Sequence, residues 1–222
     1  MSVIIADVGI TVPGSVVDLE SFSLWVDSPE FPDTGRISFI RGDVIVEKCM
    51  EQLYTHNIIK LWIGTALAIL IKSEKLGTHF IDGVRLYNEE ADLSVEPDGL
   101  YFSYAAIRSG KVTRTEGAED GYVRIDGSPE LVVEVLSDSS EKKDLTELRE
   151  TYFEAGIAEY WIADGREDIV HFEILRRGSK GFVSTRAQVG GWVKSAMLGK
   201  SFRLVRSTDP LGDPQFALES RD

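Results

Sequence analysis

The chain has 222 residues, of which 43% are hydrophobic and 27% are charged, so it can bury a core and is not a disordered segment. Its formal net charge is −13, from 24 basic and 37 acidic residues, which at first sight disfavours binding to the phosphates of nucleic acid. The single cysteine, Cys49, excludes an intramolecular disulfide framework and a multi-cysteine metal cluster.

The chain shows no pattern typical of export or membrane insertion. Its first residues lack the basic segment and long apolar stretch of a signal peptide. The longest apolar run, Leu61–Ile71, is about half of the roughly 20 residues that a membrane span needs. We therefore expect a cytoplasmic protein that does not enter a membrane.

Charge and proline content divide the chain into three parts. Residues 1–35 hold six acids and no Lys or Arg, and they predict an acidic N-terminal arm with one short helix. Residues 36–208 are expected to form a single domain, and residues 209–222 a C-terminal tail. Within the domain, residues 165–208 carry nine basic and three acidic residues, so a polar face remains available to an anion.

The domain begins with a predicted hairpin, Arg36–Glu47, with Gly42 at the bend. A long helix is expected from about Gln52 to Ser73. Its apolar residues exceed one stripe, so it is predicted to be largely buried. The excess, together with Trp192, favours a homodimer.

The remaining elements are predicted from apolar runs and turn residues. Residues 105–127 are rich in Gly, Ser, Thr and charge, and they predict a surface loop with at most a short helix. The nearly unbroken apolar run 130–136 predicts a central strand that is covered on both faces. The other expected elements are strands 78–87, 99–104 and 159–163, a helix that ends near Gly156, and short antiparallel strands after residue 169.

Glu134 breaks the apolar run of the predicted central strand. A buried carboxylate costs several kcal/mol unless a cation, a metal or good donors compensate it. Asp98 follows Pro97 at the entry to a neighbouring predicted strand, and two such carboxylates suit a hard cation such as Mg²⁺. A structural Glu134 that is satisfied by an arginine or by backbone amides, and an ordinary turn at Asp98, are the alternatives.

The segments 128–137, 143–145, 155–157 and 159–164, with Tyr152 between them, resemble the Uma2 (DUF820) family. The resemblance extends to Glu96-Pro97-Asp98 and loosely to residues 55–57. The family is assigned to the PD-(D/E)XK nuclease superfamily, so the resemblance implies a restriction-endonuclease-like fold of α/β (α+β) class. This is a mixed β-sheet flanked by helices, here with a helical N-terminal arm and C-terminal antiparallel strands. It also implies that Asp98, Glu134 and the carbonyl of Val135 bind Mg²⁺ or Mn²⁺.

The lysine of that motif is displaced or missing, because Leu136 stands two residues after Glu134. Family members often carry it in the following helix, at the position of Leu148. At about 100° per residue, Lys142 and Arg149 fall nearer the buried face of that helix, whereas Lys143 points away. Lys142 and Arg149 are therefore the candidate cations, and ordinary surface positions are the alternative for both.

Two further polar positions are less specific. The upstream acid of the family is absent at Ser38 and Arg41, and Asp43 or Glu47 could replace it. His56 is a candidate proton shuttle near neutral pH, or else a polar residue in the first turn of the long helix.

We predict from these features a metal-dependent endonuclease that hydrolyses phosphodiester bonds of DNA. The alternative is a catalytically inactive, oligomeric or partner-binding module that retains the nuclease-like fold. A hydrolase of a small phosphorylated substrate would suit the negative charge, but the sequence holds no dedicated motif for it.

Overall fold

A computed structural model describes residues 3–5, 10–47, 51–117 and 121–222 of the chain. Cys49 lies outside these ranges, so what the sequence predicts for it stays a prediction. The described residues form sixteen strands: β1 (Val3–Ile5), β2 (Arg36–Ile40), β3 (Asp43–Glu47), β4 (Gly77–Ile81), β5 (Arg85–Asn88), β6 (Leu93–Val95), β7 (Gly99–Ser103), β8 (Val112–Glu116), β9 (Tyr122–Gly127), β10 (Leu131–Val135), β11 (Glu159–Asp164), β12 (His171–Arg177), β13 (Phe182–Ser184), β14 (Val193–Lys194), β15 (Ser201–Thr208) and β16 (Pro214–Arg221).

Four helices accompany the strands, and two of them begin with a wider π-helical turn. They are α1 (Leu19–Val26), α2 (π turn Leu53–Ile58, then Ile59–Ser73), α3 (Tyr104–Ser109) and α4 (π turn Lys143–Leu148, then Arg149–Glu154).

The strands form three sheets. The central sheet has the order β13-β12-β11-β10-β7-β4, in which β10 and β11 are parallel and the other neighbours antiparallel. A second sheet has the order β1-β3-β2-β6-β5-β9-β8, and a third the order β14-β15-β16. The predicted mixed sheet flanked by helices is therefore present, with α2 against one face of the central sheet and α4 against the other.

Strand β10 is central and covered on both faces, as its apolar run predicts. Its side chains alternate between the two faces of the sheet. Val133 and Val135 pack with α2, whereas Val132 packs on the opposite side with Tyr152 of α4. The same alternation directs Glu134 toward the α4 side.

Helix α2 confirms the predicted long helix, but the expectation that it is largely buried is wrong, because one face of it is exposed. Ile59, Ile63, Leu67 and Ile71 form its buried face, and the 21 residues of Leu53–Ser73 would also suffice to cross a membrane by length and composition. The core helix of a soluble protein can have the same length and apolar composition, so these two properties alone do not indicate a membrane span.

The homodimer that the sequence favours stays a prediction. Helix α2 does expose Leu61, Trp62 and Ile69. Trp192, however, has its own partners, since the guanidinium groups of Arg203 and Arg221 lie 4.8 and 4.5 Å from its ring centre.

Three predicted segments differ from the structure. Residues 105–127 include the short helix that the prediction allowed, α3, but the rest forms the hairpin β8–β9 and not a loop, and its mostly exposed edge position explains its polar composition. The predicted strand 78–87 is two strands, separated where Asp82 and Gly83 adopt positive φ angles of 53° and 62°. The expected tail 209–222 contains β16, which pairs with β15 along its whole length.

Candidate metal centre and active site

Asp98 and Glu134 face each other across two neighbouring strands. Asp98 immediately precedes β7, which is antiparallel to β10 with Gly99 opposite Val133. The amide of Val135 donates to Asp98 Oδ2 at 2.8 Å, and Glu134 Oε2 lies 3.4 Å from the amide nitrogen of Asp98. Both carboxylates are buried. The structure thus brings together the acidic pair that the sequence singled out.

Glu134 has one strong hydrogen-bond donor. The hydroxyl of Tyr152 donates to Glu134 Oε1 at 2.6 Å. Burial, followed by the charges of Asp98 and Asp144, raises the pKa of Glu134 well above its ordinary value, although Lys143 and the Tyr152 hydroxyl act in the opposite direction. Removing this repulsion by binding a cation would favour the ionised carboxylate.

Lys143 and not Lys142 is the buried lysine of α4, so the predicted geometry of the two lysines is wrong. The side chain of Lys142 is 87% exposed, whereas that of Lys143 is 9% exposed and donates to Glu47 Oε2 at 2.5 Å. Its Nζ also lies 3.6 Å from Asp144 Oδ1. Burial opposes the charged form, but the carboxylates of Asp144, Glu47 and Glu134 raise the pKa of Lys143 above its ordinary value.

The π-helical turn explains why the helical projection failed. In an α-helix, residues five apart are separated by about 140°, so Lys143 and Leu148 would face different directions. In the turn Lys143–Leu148, backbone bonds join residues five apart, which places Lys143 on the same face as the buried Leu148. Such turns occur frequently at functional sites.

Asp144 belongs to the same group of acids, and sequence reasoning missed it. Burial, together with Glu47 and Asp98, raises its pKa to about 6, against the opposing effects of Lys143 and Ser140. Glu47, one of the two candidate upstream acids, lines the cavity beside Asp98.

Of the other predicted site residues, Arg149 lies away from the acidic pair and His56 lies beside it. Arg149 donates to the carbonyl oxygen of Phe182 at 3.3 Å and lines a different cavity, so it does not reach the acidic pair. His56 is buried, with Nε2 3.5 Å from Asp98 Oδ2. Its Nδ1 lies 3.1 Å from Glu51 Oε2, but not in hydrogen-bonding geometry. The side chain of Gln52, and not that of His56, caps the first turn of α2. The imidazole of His56 is therefore not used as a cap and lies beside Asp98.

Arg36 and Lys60 place positive charge near the Oδ1 atom of Asp98. Arg36 Nη1 lies 3.1 Å from Asp98 Oδ1, and the same guanidinium contacts Glu51 and Asp82. Lys60 Nζ lies 2.8 Å from Glu51 and 2.9 Å from Asp82. The sequence analysis did not predict this network. Lys60, which stands between the apolar residues Ile59 and Leu61, could have indicated a buried cation.

Two groups of donors could hold a metal ion. Glu51, His56 and Asp98 offer atoms within 4.8 Å of one another. However, His56 and Lys60 already lower the pKa of Glu51 to about 2, against the effect of burial, so its charge is compensated. On the other side of Asp98, burial and neighbouring carboxylates raise the pKa values of Glu134 and Asp144. The Asp98–Glu134 side offers carboxylate and main-chain oxygens without a histidine, and oxygen is the donor type that a hard divalent cation prefers.

Asp98 of this pair lines a cavity of about 240 Å³. It is lined by acids, by Arg36 and His56, and by serines at its rim: Gly35, Arg36, Glu47, Glu51, His56, Asp82, Glu96, Asp98, Ser137, Ser139, Ser140 and Asp144. Val135 points both its N–H and its C=O toward the Asp98 edge of β10, since the two groups of one strand residue share an edge. The carbonyl of Val135 therefore faces the same edge of β10 as Asp98.

The model of the family described as "Uma2: Putative restriction endonuclease" matches residues 19–201. This chain belongs to the Uma2 family. A solved structure from Anabaena variabilis, described as "a putative nuclease belonging to DUF820", is similar with a TM-score of 0.61 and 19% sequence identity. The match covers 82% of this chain and 91% of that chain. No curated protein matches the chain.

The family and the structural likeness confirm the resemblance and the restriction-endonuclease-like fold. In this Uma2 protein, Leu136 and Leu148, the two positions where a motif lysine was sought, are both buried in the apolar core. The buried lysine of this region is instead Lys143, at the start of α4.

Proposed function

We propose that this Uma2 protein is a metal-dependent endonuclease that hydrolyses phosphodiester bonds of DNA. The observation that carries the proposal is the pair of opposed, buried carboxylates of Asp98 and Glu134, with the charge of Glu134 acting on the buried ammonium of Lys143. An acidic pair and a nearby lysine are the parts that the PD-(D/E)XK pattern requires. The family description as a restriction endonuclease supports a nucleic acid as substrate.

Each group has a specific role in this proposal. Asp98, Glu134 and the carbonyl of Val135 would hold Mg²⁺ or Mn²⁺, which polarises a bound phosphate and lowers the pKa of bound water. Lys143 stabilises the negative charge that develops on the phosphate, because its ammonium is fixed by Glu47 before the reaction begins. His56 contacts Asp98, and its role as a proton shuttle remains part of the proposal.

The acidic surface restricts how DNA approaches. Acids line the cavity, so substrate phosphates need the charges of Arg36, Lys143 and the metal to offset repulsion. Activity should therefore depend steeply on the divalent ion and should be undetectable in a chelator.

The adjacent lysines provide a matched test. Nicking of supercoiled plasmid would be measured with Mg²⁺ or Mn²⁺ for wild type, Lys143→Gln and Lys142→Gln. We expect Lys143→Gln to lose about 10²-fold or more of the rate, as when other fixed charge-stabilising donors are removed. Lys142→Gln should cleave like wild type, because its side chain lies in solvent.

Equal losses in both lysine variants would contradict the assignment of Lys143. A folded wild type that binds divalent metal but cleaves neither DNA nor RNA would contradict the endonuclease. It would favour the partner-binding module instead.

A further inference from the structure

We infer that Tyr152 is a positioning residue, which holds Glu134 so that only its Oε2 faces the cation. The inference rests on the proposed metal site and adds a residue to it. The two oxygens of Glu134 have different surroundings. Oε1 accepts the Tyr152 hydroxyl at 2.6 Å, whereas Oε2 has only the amide nitrogen of Asp98 at 3.4 Å.

The hydroxyl fixes a torsion that is otherwise loose. The terminal torsion of a glutamate side chain has broad minima, so an untethered carboxylate samples both orientations. A short hydrogen bond to one oxygen removes that freedom and leaves the other oxygen directed toward Asp98. Partners that orient a ligating carboxylate typically contribute 10- to 100-fold to metal affinity.

Tyr152 is itself held rigidly. It is fully buried on α4, and its ring meets that of Tyr160 edge to face, with centroids 5.2 Å apart. The donor therefore stands at a fixed place before any metal arrives. Helix α4 supplies both Tyr152 and Lys143, so one helix sets both the carboxylate and the cation.

A purely structural role for Tyr152 is the competing explanation. Tyr160 is a control residue that distinguishes this explanation from the positioning role. Tyr160 is equally buried, but its hydroxyl donates to the backbone oxygen of Asp144 at 3.0 Å and not to a carboxylate. Replacing either tyrosine by phenylalanine keeps the ring contact and removes one buried hydroxyl. A packing effect would therefore appear in both variants, and a positioning effect only in Tyr152→Phe.

The test measures free Mn²⁺ by electron paramagnetic resonance during titration of the full-length wild type, Tyr152→Phe and Tyr160→Phe. We expect the Kd for Mn²⁺ to rise 10- to 100-fold in Tyr152→Phe and less than twofold in Tyr160→Phe. Saturating Mn²⁺ should also restore most plasmid nicking in Tyr152→Phe, because its defect lies in metal affinity.

An unchanged Kd in Tyr152→Phe or equal losses in both variants would overturn the positioning role, and so would nicking that saturating Mn²⁺ does not restore when the wild type itself nicks. The result for the wild type separates this failure from failure of the proposed function. If the wild type itself binds no Mn²⁺, the metal site is wrong. If only the comparison of the two tyrosines fails, the metal site stands without Tyr152.

Discussion

Glu47 and Lys143 are 96 residues apart in the sequence, and their side chains form a buried hydrogen bond of 2.5 Å. Glu47 is the last residue of β3 in the second sheet, and Lys143 begins the π turn of α4. Glu47 lines the cavity beside Asp98, and it holds the ammonium of Lys143 at 3.6 Å from Asp144 Oδ1.

Glu47→Gln should therefore weaken both stability and catalysis. Glutamine keeps an acceptor but removes the charge, so Lys143 loses one buried counter-ion. We expect the free energy of unfolding in urea to fall by about 1–3 kcal/mol. The nicking rate should fall less than in Lys143→Gln. A variant with wild-type stability would contradict the contribution assigned to this pair.

Divalent metal should stabilise the folded protein through Glu134. The unfolded chain has no preformed site, so binding appears as added stability. Mg²⁺ or Mn²⁺ should raise the Tm of the wild type, and Glu134→Gln should fold but lose most of that shift. An identical shift in the two proteins would contradict Glu134 as a ligand.

The stability of the metal-free protein should depend on pH in a defined direction. The pKa of Glu134 is raised in the folded state, so that state binds more protons than the unfolded chain above the ordinary pKa of about 4. Stability from this group is therefore present at low pH and is lost as pH rises through the folded pKa. The Tm of Glu134→Gln minus that of the wild type should increase from pH 4.5 to pH 8, and a decrease would contradict the raised pKa.

Another buried carboxylate, that of Glu159, has a structural role that can be tested separately. Its Oε1 accepts from the amides of Ala196 and Met197 at 2.6 and 3.1 Å, and its Oε2 from Ser195 Oγ and Trp161 Nε1 at 2.7 and 3.0 Å. Glutamine can accept at only one of these positions. Glu159→Gln should therefore lose roughly 2–4 kcal/mol of unfolding free energy.

The matched control for Glu159 is the exposed pair of Glu154 and Arg41. Glu154 Oε1 lies 2.6 Å from Arg41 Nη2, and nearly half of each side chain is accessible to solvent. Glu154→Gln should lose less than about 1 kcal/mol. Similar losses for Glu159→Gln and Glu154→Gln in urea denaturation would contradict the structural role of Glu159.

The sequence predicts the parts of this fold that depend on local patterns. The apolar run around Glu134 predicts a doubly covered strand, and Arg41-Gly42 predicts the bend of a hairpin, where both residues adopt positive φ. Asp98 and Glu134 could be paired because neighbouring strands bring together residues that are distant in sequence. The family resemblance implies that the same two residues bind a metal ion.

The cation could not be predicted because it depends on tertiary contacts. A projection at 100° per residue assumes a regular α-helix. The residues around Lys142 and Lys143 contain no sequence pattern that predicts the π turn. The hydrogen bond from Lys143 to Glu47 also joins elements that the sequence does not connect. The edge hairpin after residue 110 was missed for a related reason, since polar strands on an exposed edge resemble loops in composition.

The most direct measurement is an anomalous difference map from crystals of the wild-type protein soaked in Mn²⁺. We expect one peak within coordination distance of a carboxylate oxygen of Asp98 and of Glu134 Oε2, with Lys143 Nζ still bound to Glu47. A peak held instead by Glu51, His56 and Asp98, or no peak at Glu134 in a protein that binds Mn²⁺ in solution, would contradict it.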